Sequence, residues 1–210
     1  MAISTRPMLE FETLPIRPLR TAGGSWNFFV DHELWCWQDD VFNDAELDAI
    51  IELGHRTVLE RAKTTTSDSD AVRKSETSFI YPHDYSAWIF ERLTGLVWNM
   101  NQAHFRFDLS AFEQGLQFTR YNSEGSHYTW HIDRGPTVGI RKLSLVLQLS
   151  DPGDYEGGDL ELMFGAEPTV IEKRRGRIVV FPSWAVHRVT PVISGCRESL
   201  VAWISGPPFK

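Results

Sequence analysis

Leu116-Gln117-Phe118-Thr119-Arg120-Tyr121 and Ser126-His127-Tyr128-Thr129-Trp130-His131-Ile132 flank the polar turn Asn122-Ser123-Glu124-Gly125. Aromatic and β-branched residues populate both runs, and the turn holds the residue types that bend a chain. The same texture continues downstream. Strand-like runs at 142–149, 159–164, 169–172, 177–181 and 197–204 are punctuated by Gly135-Pro136, Asp151-Pro152-Gly153 and Gly157-Gly158. Many short strands with regular turn signals predict a sandwich, a barrel or a jelly roll.

Upstream the pattern is different. Residues 1–25 read as an irregular lead-in, followed by strand-like Trp26–Val30 and Leu34–Trp37. Asn43, with Glu46 three positions on, has the form of a capping box. Leu47, Ile50 and Ile51 then repeat with helical period, predicting a helix over about 44–60. Polar residues 63–70 form a loop, a solvated connector or a lid. Ser75–Tyr81 predicts a strand. Asp84 is placed as the cap of a second helix running to about 102, with Trp88, Ile89, Leu93, Leu96 and Val97 on one face. Phe105–Leu109 alternates and reads as another strand. Helices before strands imply helices packed on one face of a β-layer. The fold class is therefore α+β, mainly β, in one domain over 1–210: N-terminal strands and supporting helices over 1–110, and a β core over 111–210.

The chain has 210 residues, 42% of them hydrophobic, enough for one sizeable core. Its 21 basic and 28 acidic side chains leave a net charge of −7, which argues against nucleic acid as a partner. Two cysteines, Cys36 and Cys196, make no disulfide framework and read as thiols in a reducing compartment. The N-terminus has no signal-peptide pattern, and no run reaches the ~18 apolar residues of a membrane span. A soluble, cytoplasmic protein is the expectation.

The chemistry concentrates around Trp130-His131-Ile132-Asp133. Side chains at i and i+2 of a strand share a face, so His131 and Asp133 would converge. His187, after the apolar run 178–181, is the candidate second histidine. Two histidines and one carboxylate on one side of a metal leave the remaining positions open, as in non-haem Fe(II) oxygenases. Arg197 alternates with Ser199 and Val201, so it can face the interior. An inward guanidinium needs either an Asp or Glu partner or a bound anion. Tyr121 could donate a hydrogen bond to the same anion, or simply form part of the wall.

Leu116–Asn122 with Gly125, Tyr128, His131 and Asp133 resembles the entry strand and iron motif of the 2-oxoglutarate/Fe(II)-dependent prolyl 4-hydroxylase-like oxygenases. Arg141–Ser150, followed by Tyr155-Glu156-Gly157-Gly158-Asp159-Leu160, is similar to the next strands of that family. Gly176, Phe181-Pro182-Ser183, His187–Val192 and Gly195 with Arg197 carry the likeness across about 115–206, most of all to the bacterial PKHD-type hydroxylase branch. The N-terminal half matches loosely. The resemblance implies a double-stranded β-helix (jelly roll), with iron on His131, Asp133 and His187 and no catalytic side chain beyond the metal centre. It implies that Arg197 holds the distal carboxylate of 2-oxoglutarate, with Tyr121, Gln148 and Trp203 beside the cosubstrate. Arg141 would meet substrate or be a solvated strand-end cation. The implied activity is hydroxylation of a protein or peptide side chain, proline first, with release of succinate and CO2 and with ascorbate as a candidate reductant. Two alternatives stay open: the same chemistry on a free amino acid or other small molecule, and a non-catalytic cupin-like metal-binding module.

Overall fold

The computed structural model describes residues 34–62, 70–123, 125–135 and 139–208. The first part runs β1 (Cys36–Gln38), α1 (Asp44–Arg56), β2 (Glu60–Arg61), β3 (Arg73–Lys74), β4 (Glu76–Ile80) and α2 (Ala87–Met100). Next come β5 (Ala111–Phe112), β6 (Leu116–Asn122), β7 (His127–His131), β8 (Arg141–Gln148) and β9 (Tyr155–Gly157). The chain ends with β10 (Leu160–Met163), β11 (Pro168–Val170), β12 (Ile178–Pro182), β13 (Val186–Val189) and β14 (Val192–Ser205). The larger sheet has the order β1-β12-β8-β14-β6-β4-β2, with β5 and β9 also paired to β14. The smaller sheet has the order β11-β10-β13-β7-β3. All pairings are antiparallel, the mainly β jelly-roll architecture expected.

Strand parity divides the larger sheet into two faces. Leu143, Leu145 and Leu147 of β8, Leu200, Ala202 and Ile204 of β14, and Leu116 and Phe118 of β6 join one buried cluster. Leu47 and Ile50 of α1, with Ile89, Leu93, Val97 and Met100 of α2, complete it. The helices thus cover one face, as helices preceding a β-layer predict. On the other face Val146, Val179 and Phe181 pack with Leu160 and Leu162 of the smaller sheet. The remaining positions of that parity on β6 and β14 line a cavity.

Asn43 caps α1 as predicted: its side chain accepts from Glu46 N, and Glu46 returns a bond to Asn43 N. The helix ends at Arg56 rather than near 60, with Thr57 already extended and Val58 exposed. Gly54 abuts β6; a Cβ there would come 2.3 Å from Phe118 Cγ. Gly54→Ala is therefore expected to destabilise the fold by about 1–3 kcal/mol through overpacking, read as a lowered urea midpoint.

Other boundaries differ from expectation. Asp84 does not cap α2. Ser86 takes the cap position, but its hydroxyl donates back to Tyr81 O at 2.6 Å. Phe105–Leu109 is not a strand. Asn101–Phe105 continues α2 as one π-helical turn and ends at left-handed Arg106. The Asn101 side chain pins this exit by bonding both N and O of Phe107 at 2.9 Å. Strand β14 begins at Val192, earlier than 197, and β13 was not predicted. The predicted 1–25 lead-in, the Trp26–Val30 strand and nearly all of the 63–70 loop lie outside the described residues. Among described residues no helix is long and apolar enough to cross a membrane. Both cysteines are free, with Cys36 buried and Cys196 half-buried.

Candidate metal centre and its cavity

Antiparallel pairing of β7 with β13 sets His131 opposite His187, with a register shift between His187 and Val189. His131 Nδ1 lies 2.8 Å from Thr129 O, and His187 Nδ1 lies 2.9 Å from Ala185 O. A carbonyl can only accept, so each Nδ1 carries the proton and each Nε2 keeps a lone pair. His131 Nε2 is 3.7 Å from Asp133 Oδ1, and His187 Nε2 is 3.5 Å from Asp133 Oδ2. The three ligand atoms all lie within 4.8 Å of one another.

Asp133 reaches this point for a different reason from the one expected. Strand β7 stops at His131, so the i, i+2 relation does not aim Asp133. It sits in a bend, where Asp133 N and Arg134 N both donate to Ser183 O, at 2.9 and 3.1 Å. Ser144 Oγ of β8 donates to Asp133 Oδ2 at 2.7 Å and lies 3.0 Å from Ser183 Oγ. Burial raises the Asp133 pKa, but the imidazoles of His187 and His131, the Ser144 hydroxyl and Trp203 together hold it below the usual carboxylate value. Burial, then the neighbouring His187, push the His131 pKa down to about 3, so the imidazole is neutral, the form that binds metal. Tyr128 stacks on His131 with ring centroids 3.4 Å apart, and burial raises its phenol to about 12.

Sequence reading missed Ser144. Its signal was a small hydroxyl set between Leu143 and Leu145, on the same inward parity as Val146. Ser144→Ala is expected to weaken metal binding about 10–100-fold, the usual effect of losing a partner that orients a ligand. Metal titration of the variant checks this; unchanged affinity would show that Ser144 does not orient Asp133.

The metal set opens into a cavity of about 700 Å3 between the two sheets. Arg197, Ser199, Val201 and Trp203 of β14 line it, with Gln117, Thr119 and Tyr121 of β6. Arg197 is 3% exposed and donates to Ser199 Oγ at 3.2 Å, and its guanidinium lies 5.3 Å from the Tyr121 ring centre. No carboxylate among the described residues forms an ion pair with it. The Trp203 indole N–H is buried without an acceptor, close enough to Asp133 to favour its ionised form.

One predicted contact falls elsewhere. Gln148 is absent from the cavity wall; its amide donates to Glu172 O at 3.0 Å. Arg141 lines the cavity and is largely buried rather than a solvated strand-end cation. It pairs with Glu113, donates to Asp133 O at 3.2 Å and lies 4.1 Å from the Trp203 ring centre. A second cavity, of about 450 Å3, lies on the helix side of β14 among Asp48, Arg120, Arg175, Cys196 and Glu198. None of the metal set lines it.

Two histidines and a carboxylate converging between two antiparallel sheets match the donor set of non-haem Fe(II) sites. Residues 116–205 match the family model described as the 2OG-Fe(II) oxygenase superfamily. A PKHD-type hydroxylase of Prochlorococcus marinus is 40% identical over 91 residues, covering 43% of this chain and 41% of that relative. One from Synechococcus sp. is 42% identical over 85 residues, covering 40% and 38%. The chain thus spans about two fifths of the length of these curated relatives. The fold resembles a Pseudomonas putida prolyl-4-hydroxylase, with TM-score 0.68, 24% identity and coverage of 84% of this chain and 94% of that one. It also resembles a Trichoplax adhaerens prolyl hydroxylase in complex with a hypoxia inducible factor peptide fragment, with TM-score 0.70, 16% identity and coverage of 82% and 84%.

Proposed function

We propose that this chain is an Fe(II)- and 2-oxoglutarate-dependent dioxygenase that hydroxylates a side chain of a protein or peptide, proline first, with ascorbate as a candidate reductant. The observation that carries this reading is Arg197, a buried cation without a carboxylate partner among the described residues, in the same cavity as His131, Asp133 and His187. Burying an unpaired charge is costly, so the site favours an anionic occupant. The residues fit the cofactor. His131, Asp133 and His187 would hold Fe(II) through Nε2, carboxylate and Nε2. Arg197 would bind the distal carboxylate of 2-oxoglutarate, with Tyr121, Ser199 and Trp203 beside it. Together, Fe(II), 2-oxoglutarate and O2 supply oxidative decarboxylation to succinate and CO2, coupled to hydroxylation. Val146, Leu160, Val189 and Val201 line the same cavity and limit water there. Residues 111–210 would form the oxygenase core, with 1–110 as supporting strands and helices. The peptide assignment draws on the Trichoplax adhaerens neighbour, which holds a peptide fragment.

The test is succinate release with Fe(II) and 2-oxoglutarate against proline-containing peptides and free amino acids. Turnover with peptides alone supports the proposal. Turnover with free amino acids alone moves the assignment to a small-molecule enzyme. No succinate under any condition leaves the metal-binding module.

A further inference from the structure

The cavity holds a second buried guanidinium, outside the set used above. Arg73 lies on β3, the edge strand of the smaller sheet, paired in register with Tyr128 of β7. Arg197 comes from the larger sheet, so the two cations enter one cavity from different sheets. Arg73 is 8% exposed. Its Nε donates to Ser75 Oγ at 2.9 Å, and its guanidinium lies 4.6 Å over the Tyr128 ring. Among the described residues no carboxylate forms an ion pair with it. Arg141, by contrast, has Glu113. A hydroxyl and a ring face leave most of a guanidinium's five donors to be met by something else.

One dicarboxylate cosubstrate accounts for one of these cations. We infer that Arg73 binds a carboxylate of the substrate itself, so that the acceptor molecule ends in a free acid beside the carbon that reacts. The surroundings narrow the class further. Val72, Phe79, Trp130 and Ile132 bring apolar surface to the same cavity, which suits a largely apolar body. Among the described lining residues the sole carboxylate is Asp133, which belongs to the metal set, so an ammonium group on the substrate finds no counter-ion. The chemistry that fits is an N-acylated amino acid, either as a small acid or as the C-terminal residue of a peptide. This inference rests on the oxygenase reading for what happens to the substrate, but not for the anion site.

Calorimetric titration of N-acetyl-proline, N-acetyl-leucine and N-acetyl-phenylalanine against their amides tests it. Wild type, Arg73→Gln, Arg73→Lys and Arg197→Gln are compared. Acids are expected to bind wild type and Arg197→Gln at least about tenfold more tightly than amides, as for a charge-assisted hydrogen bond. That preference should vanish in Arg73→Gln and partly return in Arg73→Lys. A pentapeptide ending in proline, set against its C-terminal amide, separates a chain end from a small acid; an acid preference in either supports the inference. Equal binding of acids and amides, binding of neither, or a preference that follows Arg197 would overturn it. So would weakened metal binding in Arg73→Gln with the acid preference intact, since that assigns Arg73 to supporting His131 through Tyr128. Failure of the oxygenase reading is distinguishable, because it leaves acid binding in place and removes succinate release.

Discussion

Asp133→Ala is expected to abolish Fe(II)-dependent succinate release while the protein stays folded. Asp133 is the one carboxylate of the metal set, and each of its oxygens faces a different imidazole, at 3.7 and 3.5 Å. Removing it leaves two neutral nitrogens and no charge to balance a divalent cation. The loss of metal affinity should exceed the ~10–100-fold expected for a supporting residue such as Ser144. Metal titration and turnover are the two measurements, with circular dichroism to establish folding. Retained iron binding with retained turnover would remove Asp133 from the centre. His187→Ala should behave alike, because it removes the Nε2 that the Nδ1 bond to Ala185 O leaves free for a metal.

Arg197→Ala is the second large effect, and it should fall on the cosubstrate. Losing one partner of a buried charge pair costs about 2–5 kcal/mol, or roughly 30-fold to several thousand-fold in affinity. The concentration of 2-oxoglutarate needed for half-maximal succinate release should rise accordingly, while metal binding changes little. Guanidine added to the variant should restore part of the activity, because the cavity left behind matches the lost group. Unchanged 2-oxoglutarate kinetics would show that the anion sits elsewhere, with Arg73 the next cation to examine.

The residues most legible in advance were those whose side chains alternate on strands. Arg197, Ser199, Val201 and Trp203 share one parity, as do Gln117, Thr119 and Tyr121, and both sets line the cavity. The Asn43 cap was equally local and formed as read. Departures arose where a side-chain amide bonded a backbone group that the pattern does not report. Phe105 and Phe107 alternate like a strand, yet Asn101 brackets Phe107 and holds a π-helical turn in place. Gln148 has the right parity, but Glu172 O takes its amide, a pairing 24 positions away.

The candidate metal residues were legible in the sequence from residue chemistry and the motif they share with a known family, and the inward face of the last strand and the mainly β architecture from period, because these are local properties. Tertiary structure alone decided how Asp133 is aimed, that Arg141 is already matched by Glu113, and that Arg73 and Arg197 have no acidic partner among the described residues. Those outcomes depend on which strands meet across the two sheets. A charge is paired or unpaired only once distant segments lie within a few ångströms of each other, and no pattern along the chain measures that distance.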